Sequence, residues 1–456
     1  MEQLQLVKDN LKSIFMKKIY YLIIVLLITS ACEKDDDFFF DNLVTVGDIK
    51  LIRLRADHNT LLPDGKATMK FYAEAYNIVE LPNYTPTYQG DSAIYESGMI
   101  RDTSLIPADL LPVDLFHLVD DSGQEYPDFS FSTTDVQERT IRFCVKAGEL
   151  ISETIEVSVR PLPVDKYNEI TIPVIFHILN PAKNPSIAPI EITPETVMKN
   201  IERLNGVFNA KATTDPNGGN AKIIFKPAEY DNNGIKLDYP GVHYHEIGNT
   251  VILEESDDYL DYIMSKGTVL MYDYRHFLNI WLINNSKSSS SIVTAPTVID
   301  RPEDPIPGLN AGEMPEDFPL KPTDVGFFID MSYFLNPLQT TDHFELSTVL
   351  AQYLGLLSTQ ASEAYGETNF IDGDTDYCED TPYYWNDFSS IFKYNSKVPD
   401  ENTLYFTSYN IMDRYSYKNS ISIDQVARIR LHLERCPSRW MYKSKFAFTG
   451  KEEDRK

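Results

Sequence analysis

Cysteine is scarce: four in 456 residues. No dense disulfide framework holds this chain, and a chain of this length is instead long enough for two or three domains with substantial cores. Positive charge is also in deficit, with 41 Lys and Arg against 68 Asp and Glu, a formal net charge of −27. Such a surface repels nucleic acid and phosphate-rich membranes, and it favours basic partners or Ca²⁺ without naming one. A membrane-crossing run is missing at the N-terminus. Ile19 to Ile28 is apolar but too short, and wrongly flanked, for a transmembrane helix.

That short run, preceded by Lys17 and Lys18, reads as an export signal. Ile28-Thr29-Ser30-Ala31-Cys32 resembles the lipobox of bacterial lipoproteins, which implies cleavage before Cys32 and acylation of its thiol. Met16 offers an alternative start that would give the signal its usual compact form. The following Glu33-Lys34-Asp35-Asp36-Asp37 is similar to the acidic surface-export tag of Bacteroidetes lipoproteins. An outer-membrane lipoprotein exposed at the cell surface, touching the membrane only through its lipid, is the expected address.

Residues 32–47 read as an acidic tether. From 48 to 163 the pattern is all strand. Ala67, Met69, Phe71, Ala73 and Ala75 alternate with polar or aromatic neighbours, Ile155, Val157 and Val159 alternate with Glu156 and Ser158, and Pro63-Asp64-Gly65 and Asp121-Ser122-Gly123 mark turns. This predicts an immunoglobulin-like β-sandwich acting as a spacer. Cys144 falls on the polar face of its strand with Arg142 and Lys146, as a half-exposed structural thiol.

Pro161-Leu162-Pro163 marks a linker, and the character then changes. Ile170 to Leu179 is a nearly continuous apolar run, as expected of a strand covered on both faces. Thr193-Pro194-Glu195 opens a helix, with Thr193 as N-cap and Val197, Ile201, Leu204 and Phe208 on its buried face. Strands are predicted at 222–226, 277–283 and 325–331, giving an α/β order. Phe344 to Ser358 reads as a further helix. Leu346, Leu350, Tyr353 and Leu357 recur at steps of three and four, and Gly355 sits where a left-handed residue lets the chain turn away.

Seven segments carry a resemblance when taken in order: IPVIFHIL, ITPETVMKNIERLNGVFN, HFLNIWLINN, LAQYLGLLST, CEDTP, YNIMDRYS and ISIDQVARIRLHL. Together they are similar to the landmarks of the pappalysin-like branch of the metzincin zinc peptidases, over residues 166–436. The resemblance implies a metzincin-like α/β domain, bounded here at 166–445, with a charged tail at 446–456. It also implies that Met412 is the methionine of the Met-turn and that Ile292, Val293 and Thr294 continue the edge strand of the substrate cleft.

The sequence departs from that family at its defining site. With Gly355 fixed in the frame H-E-x-x-H-x-x-G-x-x-H, the metal positions fall on Thr348, Gln352 and Ser358, and the catalytic carboxylate falls on Val349. Catalytic zinc is held by imidazole, thiolate or carboxylate, and neutral hydroxyl and amide oxygens bind it far more weakly. Val349 can neither take nor return a proton. A degenerate peptidase domain that holds peptide or protein in its former cleft is therefore expected, with no zinc cofactor.

Two replacement sites suggest themselves. His243, His245 and Glu246 offer a zinc set on paper, and with it the alternative of a working zinc endopeptidase with displaced ligands. Asp372, Asp374 and Asp376 place hard oxygen ligands at alternate positions, suited to a structural Ca²⁺, although Tyr377 and Tyr383 rule out an EF-hand. Cys378 and Cys436 could pair in an oxidising compartment. His177, in an apolar strand, reads as a satisfied core histidine. A third reading, adhesive or scaffolding, leaves the cleft filled.

Overall fold

The computed structural model describes residues 44–455, except 59, 83–85, 90–91, 96–98, 162–165, 182–191, 212–214, 216–217, 249–250, 252, 285–290, 336–344, 360–375, 382–384, 387–391, 395–404, 408 and 414–415. Cys32, the acidic tag, Asp372 and Asp374 lie outside the described residues. It is a mixed α/β structure with several sheets. The chain divides into two compact units, one made of the residues up to Leu51 with Ala75–Leu115, the other of Ile52–Glu74 with Phe116–Lys456. No helix among the described residues is long and apolar enough to cross a membrane.

The first part of the chain is all strand apart from single 3₁₀ turns. In order, the strands are β1 (Leu51–Ala56), β2 (Thr60–Leu61), β3 (Met69–Pro82), β4 (Pro86–Gln89), β5 (Ser92–Tyr95), β6 (Met99–Leu105), β7 (His117–Asp120), β8 (Ser130–Phe131), β9 (Arg139–Ala147), β10 (Leu150–Ile151) and β11 (Ile155–Val159). Within the first unit, β3 from Tyr76 to Pro82 pairs antiparallel with β6. Within the second, β10-β9-β11-β2 form one sheet, with β7 added to β9. Alternation decides which side chains go inside: Ile141, Phe143 and Val145 of β9 are buried, while Arg142 and Lys146 on the other face are exposed. Cys144 is half-buried, as its place on the polar face predicts.

The second unit continues with a parallel sheet. Its strands are β12 (Ile170–Pro181), β13 (Ile223–Pro227), β14 (Val242–Ile247), β15 (Leu278–Ile283) and β16 (Gly326–Asp330), in the order β13-β12-β15-β16. β12 is long enough for β13 to pair with its first half and β14 with its second. Its residues divide between the two faces of the sheet. Ile172, Val174, Phe176 and Ile178 join the larger core, whereas Ile175 and Leu179 enter separate clusters on the opposite face. Burial on both faces is why the run is apolar without alternation.

Helices α1 (Pro194–Phe208), α2 (Ser256–Lys266), α3 (Met331–Leu335), α4 (Leu346–Tyr353), α5 (Ile423–Arg435) and α6 (Phe446–Thr449) complete the framework, and α1, α4 and α5 bury their apolar sides in the larger core. The Thr193 hydroxyl accepts from the Thr196 amide at 3.2 Å, and Ser422 with Gln425 forms a reciprocal capping box at the start of α5. Residues 446–456, set apart by sequence as a charged tail, contain Phe446 and Ala447 in a cluster with Ile175 and Phe277.

Candidate functional site

Helix α4 is shorter than the apolar periodicity predicts. It ends at Tyr353, and Leu357 lies beyond it, half-buried. The helix is buried on almost every side, since Leu346, Ser347, Thr348, Val349, Leu350, Ala351 and Tyr353 are all inaccessible. Its start is fixed by Glu345, a fully buried N-cap whose carboxylate accepts the Ser347 amide at 2.9 Å and the Arg203 guanidinium at 2.8 Å. A charged cap at a helix N-terminus is favourable twice over, satisfying free amides and meeting the positive end of the dipole. Its end is fixed by Gly355, at φ +96°.

Gly355 is required by packing as well as by the turn. A Cβ there would fall 2.5 Å from Cγ and Nε2 of His432, a fully buried side chain of α5. Nδ1 of His432 donates to the Arg428 carbonyl at 2.7 Å, and burial lowers the pKa of the ring to about 4, which keeps it neutral with Nε2 unprotonated near neutral pH. Arg428 in turn donates to the Gly355 carbonyl at 2.9 Å.

The four positions on which the expected zinc frame falls carry no imidazole, thiolate or carboxylate. Thr348 is buried, and its hydroxyl donates to the Ile411 carbonyl at 2.7 Å, so its proton is committed to the main chain of the opposing turn. Val349 is a core residue packed in the same cluster as Met412. Gln352 is half-buried and Ser358 exposed beyond the Gly355 turn. A hydroxyl spent on a carbonyl, an isopropyl group, an amide and a surface hydroxyl do not fit zinc. Among the described residues no group of three or more His, Cys, Asp or Glu is placed to hold a metal ion.

Met412 is buried in the same cluster as α4, in a turn held by several hydrogen bonds. Asn410 Oδ1 accepts the Met412 amide at 2.9 Å, and its Nδ2 reaches Gln425 of α5 at 2.9 Å. The Ser416 hydroxyl donates to the Asn410 carbonyl at 2.6 Å. Lys418, fully buried at φ +52°, donates its ammonium to the Ile411 carbonyl at 2.9 Å and to the Asp413 carbonyl. Asp413, also buried, accepts from the Thr359 hydroxyl. Sequence reasoning missed Lys418, because a lysine between Tyr417 and Asn419 looks like any solvated loop residue.

The expected edge segment is only partly a strand. Ile292 alone forms an antiparallel bridge, its amide to the Phe328 carbonyl at 3.1 Å and its carbonyl to the Phe328 amide at 2.9 Å. Val293, next in the chain, is half-buried against the larger core. Thr294 is held by Arg439, a fully buried guanidinium that donates to Thr294 O at 3.3 Å, Asp324 O at 2.7 Å and Tyr353 O at 2.9 Å. Arg439 also stacks on the Tyr353 ring at 3.5 Å. It joins the edge segment to the end of α4, a role with no local sequence signal.

His243 and His245 share one face of β14, as their spacing predicts, with ring centroids 4.3 Å apart. His177, buried, lies between His245 at 2.8 Å and Asn279 Oδ1 at 2.8 Å. Asn279 donates its amide to two carbonyls, Tyr272 O and Val325 O, which fixes Oδ1 as acceptor and puts the His177 proton on Nε2. Nδ1 of His177 therefore accepts from His245. Burial and mutual repulsion lower the pKa of His177 far below normal and that of His245 to about 3. His177 is the satisfied core histidine that the sequence suggests. Because it alternates with Phe176 and Ile178, this trio lies on the face of the sheet opposite α4 and Met412.

The predicted disulfide does not form: Cys378 and Cys436 are both free and buried. Cys378 Sγ contacts the Asp376 carbonyl at 3.6 Å, while Cys436 ends α5 in a cluster with Ile299 and Ile306, so the two thiols sit in different packing environments. Burial pushes the Cys436 thiol up to about 12. Asp376, the one described member of the calcium set, accepts the Thr381 hydroxyl at 2.6 Å and the Cys378 amide at 3.1 Å.

Two further charged clusters escaped the sequence reading. Arg160, at the exit of β11, donates to both carboxylate oxygens of Asp424 at 2.9 and 2.8 Å and lies 3.3 Å from buried Asp380. Burial and the neighbouring Asp424 raise Asp380 to about 6. His58, between Asp57 at 3.2 Å and Asp215 at 3.4 Å, is raised to about 9 because these carboxylates outweigh its desolvation.

No family model matches the sequence, and no curated protein is significantly similar to it. Among solved structures, the chain is similar to mature mirolysin of Tannerella forsythia in complex with a cleaved peptide, at 20% identity over 62% of this chain and 97% of that one, with a TM-score of 0.42. A Tannerella forsythia promirolysin mutant matches at 20% identity over 63% and 86% of the two chains, with a TM-score of 0.42. Mirolysin in complex with a compound gives 20%, 64%, 99% and 0.40 for the same quantities. These scores are too low to carry the fold, which rests on the elements described above.

Proposed function

We propose that this chain is a cell-surface lipoprotein whose α/β domain is a pappalysin-like metallopeptidase domain without zinc and without hydrolytic activity, and that it binds peptide or protein in the former cleft. One observation carries the loss of chemistry: in the helix-and-glycine frame, the first metal position is Thr348, whose hydroxyl is spent on Ile411 O. The binding half rests on the segment Ile292–Thr294, which begins with the antiparallel bridge of Ile292 to Phe328 at the edge of the sheet, where an extended peptide would add its main chain. The strands between 48 and 163 act as an immunoglobulin-like spacer, raised from the membrane by the lipid on Cys32 and the acidic tether. A structural Ca²⁺ on Asp372, Asp374 and Asp376 belongs to the same proposal.

Capture of peptides from a random library by residues 33–456, compared with a Val293→Pro variant, tests the binding half. Proline removes the amide that would pair with the peptide. Enrichment by the parent chain and its loss in the variant support the reading; equal capture by both contradicts it. Displaced zinc ligands at His243 and His245 gain no support, because those rings lie across the sheet from α4 and His245 is engaged with His177.

A further inference from the structure

We infer that the ammonium of Lys418 is the chain's own fixed cation beneath α4, holding the Met412 turn against the helix in the way a bound ion would. The inference deepens the pseudopeptidase reading and rests on it for the comparison with a metal. Its own support is local. Lys418 is fully buried, and a buried ammonium is stable only when its donors are taken by oxygen acceptors. Ile411 O and Asp413 O supply two of them. Ile411 O also accepts the Thr348 hydroxyl, so a single carbonyl joins the first metal position of the frame to the lysine.

The backbone is shaped to deliver this side chain. Lys418 adopts φ +52°, a conformation that costs a non-glycine residue about 1 kcal/mol or more, and persists where the surroundings over-determine it. Its amide is held by Ser416 Oγ at 3.0 Å, and the neighbouring Asn419 and Ser420 amides both reach Tyr409 O at 3.1 Å. Tyr409, at the start of this stretch, and Asn419 with Ser420, at its end, are therefore tied together beside the ammonium. A tethered cation cannot be chelated or exchanged, so the turn keeps its geometry whatever the metal supply.

Three measurements on residues 33–456 test this. Lys418→Met keeps the length of the side chain and removes its charge, leaving the Ile411 and Asp413 oxygens without their cation. The expected result is a fall in melting temperature of about 10 °C, insensitive to chelator. A variant as stable as the parent overturns the inference. Should Lys418→Met fail to fold, amine labelling of the parent chain at pH 9, read by mass spectrometry, gives the answer. Lys418 is expected to react at least tenfold more slowly than Lys199 and Lys266, and equal reactivity overturns it. Zinc content separates the two levels: a parent chain that binds one zinc contradicts the pseudopeptidase reading while leaving the stability result to stand or fall alone.

Discussion

Replacing Gly355 by alanine tests the packing account most severely, because two independent penalties are expected there. The backbone at φ +96° lies in the region that L side chains avoid, at about 1–2 kcal/mol. The added methyl would also meet the His432 ring at 2.5 Å, and that ring is buried and anchored by its bond to Arg428, so it cannot swing aside. Overpacking of this kind adds about 1–3 kcal/mol. The sum, about 2–5 kcal/mol, is measurable as a shift in the urea midpoint with unchanged slope. The double variant Gly355→Ala, His432→Ala removes the collision and keeps the backbone strain. It should therefore show a favourable coupling of about 1 kcal/mol or more. A single variant within about 0.5 kcal/mol of the parent, or a cycle with no coupling, refutes the reasoning.

Other outcomes follow from the charged clusters. His58 is raised from 6.5 to about 9, so its contribution is fully present below pH 6.5 and is lost as pH rises through 9. His58→Gln should destabilise the chain at pH 7 and lose most of its effect at pH 10 in thermal unfolding. His245 and His432 are depressed to about 3 and 4, so their contribution is present above pH 6.5 and is lost as pH falls through those values. Acid unfolding of the parent should therefore steepen below about pH 5, and Asn279→Leu, which frees the His177 proton, should be less stable at every pH. Arg160→Ala leaves Asp380 and Asp424 facing each other, at a cost of about 1–3 kcal/mol for this partly exposed cluster. Because Asp380 takes a proton near pH 6, that loss should be smaller at pH 5 than at pH 8 in urea titrations.

Local signals predicted local structure well. The run from Ile170 to Leu179 announced a strand buried on both faces, Thr193-Pro194 announced the start of α1, and Ser422 with Gln425 announced that of α5. What escaped is what depends on distant partners. Gly355 was legible as a turn, but its collision with His432 joins residues 77 apart, through two helices whose packing no local pattern specifies. Lys418, Arg439 and Arg160 were invisible for the same reason, since a buried cation has the same letter as a solvated one. The disulfide prediction failed on the opposite error: two cysteines in one region of sequence occupy different packing environments. The histidines were read correctly for spacing and face, yet only the sheet register shows that their face is not that of α4.

The central claim is that this frame holds no zinc, and the direct measurement is the metal content of purified residues 33–456 after incubation with Zn²⁺ and removal of the excess. Thr348, Gln352 and Ser358 cannot compete with imidazole or thiolate for the ion, so less than about a tenth of an equivalent should remain. One tightly bound equivalent, retained through gel filtration, would contradict the account.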